Sequence, residues 1–207
     1  MLFKLNNKIS TVQLLLMLMT NVMPLCGAWL LDWDIFTVLL LFWFENVVIG
    51  IFNLIKMIQC PSSVKERLVT MSFFTIHYGA FCTGHLVVLF SLFGLATRGG
   101  FLPIWLDAAD YIARYSHYLW LSIAAIISLQ GFSFMEWLKQ VNQPQLKKLM
   151  SEPYQRIVTI HLALIFGGIL SKSFSHHALI LIALIFFKIM MDYKELSKRA
   201  VTRPTDA

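Results

Sequence analysis

The sequence predicts an all-α integral membrane protein, a bundle of six transmembrane helices with both termini in the cytoplasm. Of its 207 residues, 58% are hydrophobic and only 14% are charged, whereas soluble domains have roughly 45–50% apolar and about 25% charged residues. A helix needs about 20 mainly apolar residues to cross a bilayer, and the apolar stretches of this chain accommodate six such helices with short connections. We therefore expect one membrane domain over residues 1–207 and no separate soluble domain.

Polar and helix-breaking residues set the ends of the predicted helices. The first helix contains Asn21 and Pro24, and we expect it to kink at Pro24. Cys60-Pro61-Ser62-Ser63 ends the second helix, and Arg98-Gly99-Gly100 follows the third. Pro103 also interrupts the apolar pattern, and up to Asp110 we expect an external loop that includes a short interfacial helix around Ile104-Trp105-Leu106. The six predicted helices cover residues 9–31, 35–58, 68–95, 115–138, 154–170 and 175–193.

The positions of Lys and Arg predict the orientation of the bundle. The amino terminus, the second and fourth connections and the carboxyl tail hold 13 of the 17 Lys and Arg residues; the opposite side holds Arg98, Arg114 and Lys172, and Lys188 lies inside a helix. Cytoplasmic loops carry the excess of these residues, so both termini are predicted to lie on the cytoplasmic side of a bacterial inner membrane. The net charge of +6 then reflects topology, and we expect the lipid bilayer as a partner and no nucleic acid.

A carboxylate lies in the middle of the second predicted helix. Glu45 stands in the run Trp43-Phe44-Glu45-Asn46-Val47-Val48-Ile49-Gly50, and a charge at the centre of a bilayer costs about 2.5 kcal/mol or more. Counted along the helices, His77 on the third and His161 on the fifth share its depth. We expect these side chains to meet in one polar site, supported by Asn46, Asn53, Gln130, Ser133, Lys188 and Asp192.

Imidazole and carboxylate groups are the usual ligands of zinc, iron and copper. We therefore expect Glu45, His77 and His161 to bind a transition metal or haem, for redox chemistry or for hydrolysis of a lipophilic substrate. His85 is a secondary ligand, because it lies about 12 Å from His77 along a straight helix and both cannot reach one ion. The sequence assigns no catalytic residue and leaves open whether the protein is an enzyme.

Two other functions fit the same residues. In a proton-coupled transporter of a small solute, Glu45 titrates while Lys188 and His161 complete a relay. In the other, the chain is a non-catalytic subunit of a membrane complex, or a homo-oligomer. Lys188 and Asp192 are four residues apart and are expected to pair. Asp192 and Arg156 also lie close enough to the interface to serve as plain anchors.

Ser133 does not fit a known serine protease motif. Gly131-Phe132-Ser133-Phe134 superficially resembles the nucleophile of rhomboid-type intramembrane proteases, which are also six-helix proteins. Those proteases have Gly after the serine and a histidine on the sixth helix. Here Phe134 follows Ser133, and the middle of the sixth helix has no histidine, which argues against a serine hydrolase.

Four motifs resemble those of an uncharacterised family of bacterial polytopic inner-membrane proteins, a domain of unknown function. The resemblance covers nearly the whole chain from the second helix onward. It implies a polytopic inner-membrane fold and brings no activity with it. The motifs, in chain order, are Trp43 to Gly50 as written above, His77-Tyr78-Gly79 followed by Gly84-His85, Gly131-Phe132-Ser133-Phe134, and Pro153-Tyr154 followed by Arg156-Ile157 and His161.

Overall fold

The computed structural model describes the backbone of residues 11–30, 33–140, 144–173 and 177–201, and these ranges contain seven α-helices and no β-strand. Six of the helices match the six predicted ones, and the seventh is a short addition. The predicted all-α class is thus confirmed for the described residues; the predicted helix ends at 9–10, 31 and 175–176 lie outside them. The helices are α1 (Thr11–Leu30), α2 (Ile35–Ile58), α3 (Val64–Leu92), α4 (Ile104–Gln140), α5 (Leu146–Ser151), α6 (Tyr154–Ser173) and α7 (His177–Val201).

Helix α2 lies at the centre of the bundle and contacts each of the other six helices. It begins after Asp34, whose carboxylate accepts a hydrogen bond from the Thr37 amide at 2.8 Å, as expected of a helix N-cap. Phe36, Val38 and Leu39 are completely buried, and apolar residues surround the helix on all sides. A helix that is hydrophobic on all sides belongs in the interior of a protein. Glu45, in the middle of α2, is therefore buried with it.

Two tryptophans fasten neighbouring helices to the same turn of α3. The indole N–H of Trp43 donates to the carbonyl of Cys82 at 2.8 Å, and that of Trp105 donates to the Thr83 hydroxyl at 3.0 Å. The two indole rings lie 5.1 Å apart between centroids. These contacts fix α2, α3 and α4 relative to one another close to Glu45, which follows Trp43 by two residues.

The ends of α3 differ from the prediction because two local motifs set them. The Ser63 hydroxyl accepts from the amide of Glu66 at 3.2 Å, so the helix begins at Val64, four residues before the predicted residue 68. At the other end Gly94 has φ +68°, and Leu95 N–H donates to the Phe90 carbonyl at 2.9 Å. This Schellman ending stops the helix at Leu92, before the predicted residue 95.

The predicted start of the fourth helix at residue 115 is wrong, because α4 already begins at Ile104. The short helix expected around Ile104-Trp105-Leu106 is the first part of this longer helix. Pro103 directly precedes the helix and Asp107 lies in its first turn, both of which favour a helix start. Asp107 accepts hydrogen bonds from the Thr97 hydroxyl at 2.5 Å and from the Arg98 amide at 3.1 Å. These bonds, the Thr97 hydroxyl first, hold the pKa of the Asp107 carboxyl below its usual range.

The connection between α4 and α6 contains a short helix that the sequence did not predict. In α5, Leu146 and Leu149 are buried against Met57 and Tyr78. Asn53 of α2 donates to the Leu149 carbonyl at 2.7 Å, which fixes α5 to the end of α2. Helix α7 continues to Val201, eight residues beyond the predicted end at residue 193.

Large apolar side chains are exposed on the outside of the bundle, and a few charged side chains are buried among the apolar residues of its core. Three helical segments in the described ranges are long and apolar enough to cross a membrane: Ile35–Ile58, Val64–Leu92 and Leu119–Lys139. Exposed hydrophobic side chains also occur on α1, α6 and α7, including Met19, Val158 and Phe186. Exposed apolar side chains of this kind indicate association with a membrane, because acyl chains are the solvent they suit.

Candidate functional site

Four charged side chains from three helices form a closed ring of ion pairs in the interior. Lys188 of α7 lies 2.7 Å from Glu45 of α2 and 2.7 Å from Asp192 of α7, measured from Nζ to the carboxylate oxygens. Arg156 of α6 closes the ring, because its Nη1 lies 3.3 Å from Glu45 Oε1 and 3.3 Å from Asp192 Oδ1. We call these four residues the ion ring.

Helix α1 contributes a neutral residue to the same cluster. Asn21 is completely buried; its amide donates to Asp192 Oδ2 at 2.9 Å and its carbonyl oxygen accepts from Lys188 Nζ at 3.1 Å. The aromatic ring of Phe42 lies 5.1 Å from Lys188 Nζ, a distance at which a cation interacts favourably with the ring face. Lys188 therefore contacts two carboxylates, an amide oxygen and an aromatic face.

The charges of the ion ring balance each other. Two carboxylates alternate with two cations, and the exposed fractions of Glu45, Lys188 and Asp192 are 4%, 7% and 8%. Removing such groups from water costs several kcal/mol per ion, and only close pairing with further hydrogen bonds offsets this cost. The cost of placing the Glu45 carboxylate inside an apolar helix is offset here, because two cations from other helices lie beside it.

A cavity lies beside the ion ring. It has a volume of about 90 Å³, and Arg156, Lys188, Asp192 and Glu45 all contribute to its wall; we call it the ring cavity. Asn46 also lines it; its amide nitrogen donates to the Phe42 carbonyl at 2.8 Å. Its carbonyl oxygen is buried and has no hydrogen-bond partner among the described residues. Neutral and ionic hydrogen-bonding groups thus line a space that can hold several waters or a small solute.

A second, smaller cavity has a volume of about 20 Å³. Asn53 and Gln130, both predicted to support the site, line it together with Glu152. Arg156 contributes to the wall of both cavities. The predicted Ser133 is partly buried on α4, one turn after Gln130, and lines neither of the two cavities.

The three histidines of the predicted site lie along the seam between α3 and α6. His85 Nε2 and His161 Nδ1 are 3.0 Å apart, and His77 Nδ1 lies 2.8 Å from the Tyr154 hydroxyl. His85 is buried, whereas His77 and His161 are exposed. Each histidine therefore has a partner of its own, and none of these hydrogen bonds includes Glu45.

The predicted ligand set is distributed over separate contacts. Glu45 pairs with cations, while His77, His161 and His85 form the hydrogen bonds of the seam. In the described part of the chain, no group of three or more His, Cys, Asp and Glu side chains is arranged to hold a metal ion. The metal or haem hypothesis gains no support from these residues.

Two members of the cluster were missed or misread in the sequence. Arg156 was expected to anchor at the membrane interface, and Asn21 was noted only as an interruption of the first helix. Both are polar residues within or beside apolar runs, and such residues usually face the interior of a bundle and pair there. That rule, applied to every helix, was the available signal. The prediction that Lys188 and Asp192 pair is confirmed by their 2.7 Å contact.

Comparison with known proteins gives one match. The model of a family of unknown function matches residues 4–206 of the chain. No curated protein and no solved structure matches it.

Proposed function

The chain belongs to this family of unknown function, DUF6498, and we propose that it is a multi-pass inner-membrane protein that couples proton movement to transport of a small solute. Six helices cross the bacterial membrane in this proposal, and both termini lie in the cytoplasm. The observation that carries it is the ion ring, a charge-balanced cluster beside a cavity in the interior of an apolar helix bundle.

The membrane part of the proposal is supported by the distribution of side chains. The outer surface carries residues such as Ile76 and Leu30, which are 74% and 77% exposed, and acyl chains are the solvent such a surface suits. The asymmetry of Lys and Arg supports cytoplasmic termini. Alkaline phosphatase fused after Gly100 is expected to be active in a bacterial host, and phosphatase fused after Ala207 inactive. The reverse pattern would refute this orientation.

The transport part rests on how protonation changes the ion ring. Adding a proton to Glu45 or Asp192 removes one negative charge from a cluster that was neutral. Arg156 and Lys188 then share a single carboxylate, and one cation is available to a new partner. Ionisable groups at intramembrane depth mark proton and solute pathways, and here protonation and the contents of the ring cavity are linked by the same charges.

Arg156 is the residue at which a pathway would open. It borders both the ring cavity and the smaller cavity beside Gln130 and Glu152. A change in its side-chain position therefore alters the lining of both cavities. We propose that release of Arg156 from the carboxylates connects them, with the smaller cavity leading toward the cytoplasm.

Proton flux into proteoliposomes tests the function. With the purified full chain and a pH gradient, we expect uptake of protons that depends on a transported solute, read with a pH-sensitive dye inside the vesicles. Glu45→Gln is expected to abolish the dependence on the pH gradient. Glu66→Gln, at an exposed carboxylate in the first turn of α3, is the matched control and is expected to behave like the natural chain. Equal flux in both variants contradicts the proposal.

A second candidate function is supported by the seam between α3 and α6. His77 is exposed at the middle of α3, where a polar group facing acyl chains is unfavourable. A neighbouring protein helix over this seam would remove the exposure, as expected of a subunit in a membrane complex. In that case the molar mass of the solubilised assembly is expected to exceed that of one chain and to fall in His77→Leu.

A further inference from the structure

We propose that the transported solute is a small hydroxylated carboxylate, which binds Arg156 in the ring cavity after a proton has neutralised one carboxylate of the ion ring. This inference rests on the proposed transport function and adds the chemical class of the solute. It follows from the charges around the ring cavity, from the contacts of Arg156 and from one buried acceptor.

The charges that line the ring cavity favour an anion that enters with a proton. Three cations, Arg156, Lys188 and Lys194, face two carboxylates, Glu45 and Asp192. This gives a formal excess of one positive charge, which rises to two when one carboxylate is protonated. Binding of a monovalent anion restores the starting balance. Proton and anion together therefore leave the charge of the membrane interior unchanged, which limits the electrostatic cost of carrying both.

Arg156 is the cation best placed to change partners. Its Nη1 contacts both carboxylates at 3.3 Å, and its side chain is 18% exposed. Lys188 makes two contacts of 2.7 Å, and its side chain is 8% exposed. The shorter contacts and deeper position make Lys188 the fixed member of the ring. The planar guanidinium of Arg156 matches a carboxylate through two parallel hydrogen bonds, so a carboxylate in the cavity is a suitable replacement for Glu45.

A neutral acceptor at the ring cavity indicates a donor on the solute. Asn46 lines the space, and the carbonyl oxygen of its side chain is buried and has no hydrogen-bond partner among the described residues. A buried acceptor left without a partner is unfavourable by about 1–3 kcal/mol. A hydroxyl next to the carboxylate of the solute supplies such a donor, while Thr159 and Gln155 add further polar groups to the wall.

Uptake of radiolabelled lactate into proteoliposomes that contain the full chain tests the inference. With an interior more alkaline by about one pH unit, one-to-one coupling accumulates lactate up to roughly tenfold, because one pH unit corresponds to a factor of ten. We expect this accumulation with lactate and not with glycine or tetramethylammonium. Arg156→Gln is expected to abolish it, and Arg156→Lys to raise the half-saturating concentration of lactate. Arg114→Gln, at an exposed arginine of α4, is the matched control and is expected to leave uptake unchanged.

A charge-balanced variant separates loss of binding from loss of folding. Arg156→Gln alone leaves an excess carboxylate inside the bundle, whereas Arg156→Gln/Asp192→Asn keeps the ring neutral and is expected to elute as a monodisperse protein. Lactate uptake that persists in this double variant overturns the inference. Proton-coupled uptake of glycine or tetramethylammonium in place of lactate also overturns it but leaves the transport function standing. If no solute moves and proton flux is the same in Glu45→Gln, both proposals fail.

Discussion

Breaking the ion ring at Lys188 is expected to destabilise the protein more than removing a whole pair. At an effective dielectric constant of about 20, two unit charges 2.7 Å apart attract by about 6 kcal/mol, and Lys188 makes two such contacts. Desolvation opposes most of this attraction, so the measured effect of removing one partner of a buried pair is about 3–5 kcal/mol. We expect Lys188→Met to lower the free energy of unfolding by that amount.

The double variant Lys188→Met/Glu45→Gln tests the reason for this loss. It removes one cation and one carboxylate and leaves Arg156 paired with Asp192, so no charge is unmatched. We expect it to be more stable than Lys188→Met by about 2 kcal/mol, a typical coupling energy between contacting residues. Unfolding of the purified protein in mixed micelles, titrated with denaturing detergent and followed by circular dichroism, gives the free energies of the natural chain, of Lys188→Met, of Glu45→Gln and of the double variant.

An exposed pair serves as the control. Lys139 lies 3.1 Å from Glu136, with side chains that are 69% and 22% exposed, and surface pairs contribute about 0–1 kcal/mol. Lys139→Met is therefore expected to change stability by less than about 1 kcal/mol. If the losses in Lys188→Met and Glu45→Gln simply add in the double variant, the charges of the ring are not coupled and the reasoning is refuted.

Two further predictions concern helix packing and the loop between α3 and α4. A Cβ at position 50 would lie 2.6 Å from the buried ring of Tyr78, so Gly50→Ala is expected to destabilise the protein by about 1–3 kcal/mol. Gly79→Ala is expected to stabilise it by up to about 1 kcal/mol, because no described atom lies within 4 Å of the added Cβ. Detergent unfolding compares the two variants. Because the pKa of Asp107 is lowered in the folded protein, its contribution to the loop is complete above the ordinary carboxyl range of about pH 4 and is lost as the pH falls through the lowered value. Asp107→Asn is thus expected to speed tryptic cleavage after Arg98 several-fold at neutral pH. In the natural chain, the hydrogen-exchange rate of the loop between α3 and α4, corrected for intrinsic rates, is expected to rise only under acid conditions.

Much of the helical framework could be predicted, because apolar length and helix breakers act locally. The bounds of α2 are the predicted ones, since Asp34 and Cys60-Pro61 mark them in the sequence. The start of α4 was missed because Pro103 was interpreted as a helix breaker, although proline is also common at the first position of a helix. In each case the structural cause lies within a few residues of the helix end.

The partners of the site residues could be predicted only in part. Periodicity shows which residues share a face of one helix, but it does not show which helix that face meets or how the two are rotated. Glu45 was correctly expected to need compensation, yet its partners lie on α6 and α7 and depend on packing. Small residues allow close helix approach in membranes, but the sequence alone does not show which glycines lie at such contacts. No described atom lies within 4 Å of the Cβ that Gly84 lacks, whereas Gly50 packs against Tyr78.

The order of synthesis gives the ion ring a consequence for the nascent chain. Glu45 emerges from the ribosome 111 residues before Arg156, and Lys188 follows later still. Until α6 and α7 have been inserted, the carboxylate on α2 has no countercharge from Arg156 or Lys188. During that time Glu45 lies at bilayer depth or in contact with the insertion machinery. A chain that terminates before α6 therefore retains an unmatched charge, and membrane proteases that recognise incompletely assembled helices are expected to remove it rapidly.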